Sequence, residues 1–204
     1  MPSRESRAAR QPPGGACPSV APSAPGPPDS RCGGRFALVP VPDFVQRLRA
    51  SVGHAPLWLS GVSAVVIDED GRLLLGRRTD NGLWAVVSGI LDPGEEPAVA
   101  AAREALEETG VRVEVLALTS VSSGREVRYP NGDVARYLDV CFWCRPVGGE
   151  AHVADDESLE VGWFAPDALP DPLAASSLER IERTLAYAAL ARDGGSPTPW
   201  FVRP

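Results

Sequence analysis

The chain has 204 residues, 44% apolar and 23% charged, with a formal net charge of −7, which suits one well-buried soluble domain with tails and leaves two full domains cramped. The acidic balance and the lack of a clustered basic stretch argue against a nucleic-acid-coating protein, whose affinity comes from phosphate neutralisation. All 20 basic residues are arginine, which removes Schiff-base chemistry, a lysine general base and the Walker-type phosphate lysine.

Residues 1–36 are dominated by Pro, Ala, Gly and Ser and read as a disordered tail. Their arginines precede no continuous apolar core of signal-peptide type, and no apolar run along the chain is long enough to span a membrane. A cytoplasmic, reduced setting is the simplest reading. The segment PDFVQRLRASVG (42–53) places Phe44, Val45 and Leu48 at helical spacing. It predicts an amphipathic helix, within an extension covering 42–56, that packs on the edge of the domain.

Strands and turns follow. LSGVSAVVID reads as a buried strand, EDGR as a turn through Asp70-Gly71, and LLLGRR as the returning strand of a hairpin. The acids Asp68, Glu69 and Asp70 lack the ligand spacing of a calcium loop, so the hairpin reading stands. LWAVVSG is a further short strand, and VRVEVLALTSV, EVRY, ARYLDVCFWCRPV and LEVGWF are all strand-like. YPNGD (129–133) reads as a hairpin turn on its Asn-Gly pair and is a candidate for lining a substrate mouth. DPLAASSLERIERTLAYAALARDGG carries Leu178, Ile181, Leu185 and Ala188 at helical intervals and stops at Gly194. The fold class is α/β: a mixed sheet sandwiched by helices.

His54 and His152 lie far apart and read as surface or strand-end residues. Among the four cysteines (Cys17, Cys32, Cys141, Cys144), Cys141 and Cys144 form C-x-x-C inside a strand. Alternation along the strand sends their sulfurs to opposite sides, so they read as core or partly exposed thiols and not as a redox or zinc pair.

The chemistry concentrates in GILDPGEEPAVAAAREALEETGV (89–111). Pro97 suits a first helical turn and Gly110 a C-terminal cap, which sets a helix from about 96 to 109. At about 100° per residue, Val99, Ala102 and Leu106 fall on one side, and Glu104, Glu107 and Glu108 share an arc of about 100° opposite. The i, i+4 pair Glu104 and Glu108 is repulsive. A Mg²⁺ or Mn²⁺ ion bound by the three carboxylates relieves that repulsion, so the helix reads as a metal platform.

The spacing of Gly89, Glu95, Arg103, Glu104, Ala105, Glu107, Glu108, Gly110 and Val111 resembles the signature of the Nudix hydrolases at all nine specified positions. The likeness extends over about residues 58 to 192, through GRLLLGRRTDNGLWAVVSG and DESLEVGWFAPDALP. Val87-Ser88-Gly89 departs from the family's frequent Pro-Gly-Gly, although Ser88 supplies the same backbone carbonyl as a ligand. The resemblance implies an α/β/α sandwich and Mg²⁺-dependent hydrolysis of a nucleoside diphosphate derivative such as ADP-ribose or a nucleotide sugar. A house-cleaning (d)NTP pyrophosphohydrolase and a non-catalytic nucleotide-binding module are the alternatives. An isoprenoid diphosphate isomerase would need a cysteine and a glutamate paired in the pocket.

The same resemblance implies Glu104 and Glu108 as main metal ligands, completed by Glu107. The proton acceptor is one of these or a loop acid, with Asp156, Glu157 and Glu160 as candidates and Glu157 first among them. Arg103 and Glu95 read as an ion pair fixing the loop to the helix, and direct phosphate contact is the alternative for Arg103. Trp58, Phe142 and Trp143 are either core or a stacking surface for a base. The expected partner is a small nucleotide, with neither nucleic acid nor membrane, and a homodimer stays open.

Overall fold

The computed structural model describes residues 41–204, so the disordered-tail reading of 1–36 lies outside the described residues. Helix α1 spans Asp43–Val52. Val45 and Phe44 on its inner side pack with Leu59 of β1 (Leu57–Val66) and Ala135 of β7 (Val134–Gly148). Leu48, expected on that face, is exposed.

Two sheets make the middle layer. The larger runs β4-β1-β7-β5, with β4 at Val87–Ile90, β5 at Arg112–Ser123 and the short β6, Val127–Arg128, also on β7. It is mixed, because β1 and β7 are parallel while the β1–β4 and β5–β7 pairs are antiparallel. The smaller sheet, β3-β2-β8, joins Trp84–Ala85, Leu73–Arg78 and Ser158–Phe164 in antiparallel register. Helix α2, Pro97–Thr109, covers one face through Ala100, Ala101 and Ala105 against Val62, Ala64 and Val66. Helix α3, Ala175–Arg192, covers the other through Ile181 and Ala188 against Val65, Ile67 and Cys141. The α/β/α sandwich follows from the period of two along β1, which sends successive residues into different cores.

Three local expectations change. The hairpin from β1 to β2 closes only at its base: Ile67 and Leu73 form a single bridge, after which the strands enter different sheets. Asp68 still closes the turn, accepting from the Arg72 amide at 2.7 Å and its Nε at 2.8 Å. LWAVVSG is two strands, because Trp84–Ala85 pairs with β2 in the smaller sheet and Val87–Ile90 pairs with β1 in the larger one.

The third change concerns α2. Val99 and Leu106 are 60% and 46% exposed, whereas Ala100, Ala101 and Ala105 are buried. Small side chains let the helix axis approach the sheet closely, so the alanines and not the larger residues form the buried stripe. Leu106→Ala, which the sequence presents as a core truncation, is therefore expected to change stability by less than about 1 kcal/mol. Leu74→Ala, at a fully buried β2 position, is expected to cost about 2–5 kcal/mol. Urea denaturation of both variants checks the contrast.

Cys141 and Cys144 are buried free thiols in separate cores, Cys141 toward α3 and Cys144 toward α2. Burial pushes both thiols up, that of Cys144 to about 12, which makes them core residues. The YPNGD turn is a hairpin with Gly132 at φ 89°. It packs on the end of α1, where His54 Nδ1 lies 2.8 Å from Asp133 and Arg49 also pairs with it.

Candidate functional site

The site is assembled at the β4 edge. Helix α2 opens with Pro97 in its first turn and closes with Gly110 in the left-handed region (φ 71°), whose amide donates to Leu106 O at 2.9 Å. Rotated inward by its alanine stripe, α2 presents Glu104 and Glu108 to β4. Glu108 is only 9% exposed, and its Oε1 accepts from the Ser88 amide at 3.3 Å. The Glu104 carboxylate lies directly over the Cα of Gly89, in space that any Cβ there would occupy. Gly89 is required by this close approach, since it is not in the positive-φ region.

The loop ahead of the helix is tied to it as expected. Arg103 forks onto Glu95 through Nε–Oε1 at 2.8 Å and Nη2–Oε2 at 2.9 Å. Its remaining Nη1 donates to Glu104 at 3.0 Å and Glu107 at 2.9 Å. These bonds hold the Arg103 guanidinium firmly charged and keep the Glu95 carboxyl below the usual range. Glu107 is 55% exposed and turned outward, so the three acids of α2 do not share one arc of action: Glu104 and Glu108 point in, Glu107 out.

The other side of the site comes from the smaller sheet. A register shift between Arg77 and Arg78 in the β2–β8 pairing brings the loop before β8 against the end of β2. Both the amide and the hydroxyl of Thr79 donate to Glu157 O, at 2.9 and 3.1 Å. Glu157 is thereby set beside Glu104 and Glu108, whose charges it feels. Of the three loop candidates it alone belongs to the cluster, because Asp156 is exposed and Glu160 pairs with Arg77 at 2.7 Å. Arg78, which the sequence did not single out, is held by Asp80 at 2.9 Å through two bonds. It is the cation nearest in effect to Glu108 and Glu157. The only sequence signal for it is an arginine closing an apolar strand.

Burial first, and then mutual repulsion, raises the inward acids. The Glu104 carboxyl is held up by burial despite Arg103. Glu108 is pushed well above its ordinary value by burial and by the charges of Glu104 and Glu157. Glu157 is pushed up to about 7 by burial, Asp155 and Glu104. The folded state therefore binds more protons than the unfolded one between the ordinary glutamate value of about 4.3 and about 7. Stability of the metal-free protein is expected to fall as pH rises through that window. Thermal melts in EDTA at about pH 5.5 and 8 should give the lower Tm at pH 8, and Glu157→Gln should shrink the difference. Equal Tm values for wild type would contradict this.

Among the described residues no three acidic or imidazole groups form a closed ligand set. Glu107 is turned toward Arg103, which leaves Glu104 and Glu108 as the inward pair. The donors nevertheless fit a hard divalent cation: they are carboxylate oxygens, and Glu108 is buried with, among the described residues, a single backbone N–H partner and no cationic partner in contact. Mg²⁺ commonly uses one or two carboxylates and completes its shell with water and substrate phosphates. Of the stacking candidates, Phe142 is buried and Trp143 packs against the α3-side core, while Trp58 is exposed.

The NUDIX domain family matches this chain over residues 58–185. A MutT-like protein of Streptomyces ambofaciens is 42% identical over 143 residues, covering 70% of this chain and 82% of that one. The protein named 8-oxo-dGDP phosphatase NUDT18 of Mus musculus is 33% identical over 66% of this chain, but this chain spans only 39% of its length. A crystal structure of a MutT NUDIX hydrolase from Burkholderia pseudomallei superposes with a TM-score of 0.55 at 29% identity. It covers 62% of this chain and 98% of that one.

Proposed function

This chain belongs to the Nudix hydrolase family, and on that premise we propose that it cleaves the diphosphate linkage of a small nucleoside diphosphate derivative, with Mg²⁺ or Mn²⁺ as cofactor. The observation that carries the reading is the inward-facing pair of half-buried Glu104 and buried Glu108 beside Ser88–Gly89, faced by Glu157 and Arg78. Glu104 and Glu108 would hold the cation, with the Ser88 carbonyl as a further oxygen ligand and Glu107 as the outer member of the set. When bound, such an ion neutralises phosphate oxygens and lowers the pKa of a coordinated water.

The chain's own residues supply the rest. Arg78 offers a fixed guanidinium to a phosphate oxygen, and Asp80 orients it. Glu157, whose carboxyl is pushed up to about 7 by burial and its acidic neighbours in the metal-free site, would accept the proton of the attacking water. Arg103 and Glu95 touch no substrate in this reading; they set the rotamer of Glu104 and the path of the loop. We include a cytoplasmic setting in the same reading.

Two substrate classes are in view: nucleoside diphosphates linked to another group, such as ADP-ribose or a nucleotide sugar, and (d)NTP-type house-cleaning substrates. The second gains support from the NUDT18 relative, whose name gives an oxidised deoxynucleotide, 8-oxo-dGDP, as its substrate. Chromatographic detection of the nucleoside monophosphate formed with Mg²⁺ from ADP-ribose, nucleotide sugars, NADH, dinucleoside polyphosphates, dNTPs and 8-oxo-dGDP tests the reading. Turnover of at least one of these, abolished by EDTA, is expected. Tight binding without turnover across the panel would favour the non-catalytic module.

A further inference from the structure

Residues 149–157 carry the chain from the end of β7 in the larger sheet to Ser158 of β8 in the smaller one, with no helix or strand of their own. They deliver Glu157 to the site, where Thr79 holds its carbonyl from the β2 side. That tie fixes Glu157 to the smaller sheet alone. Glu108, which it faces, rides on α2 and so on the larger sheet.

The first half of the segment supplies the second tie. The last carbonyls of a helix have no partner within it, and here the segment takes two of them. The His152 amide donates to Thr109 O at 3.0 Å and the Ala154 amide to Glu108 O at 3.3 Å. Asp155 then accepts from the Glu157 amide at 2.9 Å, so hydrogen bonds run from the backbone of Glu108 to that of Glu157.

The seat of this segment is the end of α2. The His152 imidazole lies against the Cα of Gly110, in space that a Cβ there would fill. Its Nδ1 donates to Glu150 O at 2.8 Å, which closes the turn ahead of the two backbone bonds. Gly149, at φ 86°, passes just as closely over the Gly110 carbonyl. His152 is exposed, so its ring does not belong to either core.

We propose that His152 is a positioning residue for Glu157: its ring, seated on Gly110 and bonded to Glu150 O, clamps the segment to the end of α2 and so sets Glu157 against Glu108. The clamp stands independently of the reaction; its effect on turnover rests on the hydrolase reading above.

Native-state hydrogen exchange reads the clamp without turnover. In His152→Ala the amides at positions 152, 154 and 157 should exchange about tenfold faster than in wild type or more, while those of α2 keep their protection. His152→Asn, whose side-chain N–H can take the place of Nδ1–H, should recover most of the protection. Because the side chain is exposed, both variants should melt within a few degrees of wild type. On a substrate that is turned over, His152→Ala should lower kcat about tenfold with KM unchanged, and His152→Asn should restore most of it. In a Glu157→Gln background the alanine should cost almost nothing further. Unchanged exchange at 154 and 157 in His152→Ala would overturn the clamp, as would failure of His152→Asn to restore it. An equal loss of kcat with and without Glu157 would overturn the positioning role. Faster exchange in His152→Ala, with no substrate turned over by wild type, would support the clamp and count against the hydrolase reading alone.

Discussion

Glu104→Gln and Glu108→Gln are each expected to lower kcat about a thousandfold, equivalent to about 4 kcal/mol of transition-state stabilisation. Each change removes one negative oxygen donor from the inward pair while keeping the size of the side chain. The fold should not suffer. Glu108 is buried among Glu104 and Glu157, and its carboxyl is held well above its ordinary value by that environment, so the charge is a liability in the metal-free protein. An amide in its place still accepts from the Ser88 N–H. Melting in EDTA at about pH 8 should give variants at least as stable as wild type, with Glu108→Gln gaining more because it is the more buried. In saturating Mg²⁺ and nucleotide, wild type should gain stability through ligand binding and the variants should gain less. Near-wild-type turnover in either variant, or unfolding of Glu104→Gln, would refute the assignment of these two residues as the cation-binding pair.

Gly89→Ala is expected to lower kcat about a hundredfold without removing a charged group. A Cβ at this position would fall on the carboxylate and Cγ of Glu104, so the side chain must swing away from β4. Gly89 is partly exposed and its backbone lies outside the positive-φ region, so alanine carries no conformational penalty, and the melting temperature should stay within a few degrees. If the alanine acts only by displacing Glu104, the double variant Gly89→Ala/Glu104→Gln should be scarcely slower than Glu104→Gln alone. Additive losses would mean that Gly89 acts on something other than Glu104.

Steady-state kinetics of these variants address a point that the motif leaves implicit. The family spacing requires a glycine at position 89, but the sequence contains no statement of what the glycine avoids. The answer is a side chain fifteen residues later, brought over it because α2 packs closely on β4. Arg103 shows the same relation in a more legible form. It lies eight residues from Glu95 across a loop and one helical turn from Glu107. The family resemblance was the ground for expecting the Glu95 pair, and the two forked bonds are present. All three nitrogens of Arg103 are engaged by Glu95, Glu104 and Glu107, which leaves one Nη2 N–H for any direct phosphate contact.

What the sequence by itself determined is the set of features built from neighbouring residues. The ends of α2 at Pro97 and Gly110, the strand character of β1, β2, β5, β7 and β8, and the Asn-Gly hairpin all follow from local backbone preference and from periods of two and 3.6 residues. The family motif belongs to the same category, because its nine positions lie within one continuous stretch of chain, from β4 through the loop and α2 to the start of β5. The tertiary structure alone decided which side of α2 faces inward. Two rotations about the helix axis were open, one burying Val99 and Leu106, the other burying three alanines and delivering two glutamates to β4. Close approach to a flat sheet favours the small residues, and that preference is a property of the pair of surfaces, absent from the helix alone. The tertiary structure also decided that Glu157 and Arg78 join the site while Glu160 does not. Those residues are separated by about eighty positions, and the one-residue register shift at Arg77/Arg78 that aligns them exists only once β2 and β8 have paired.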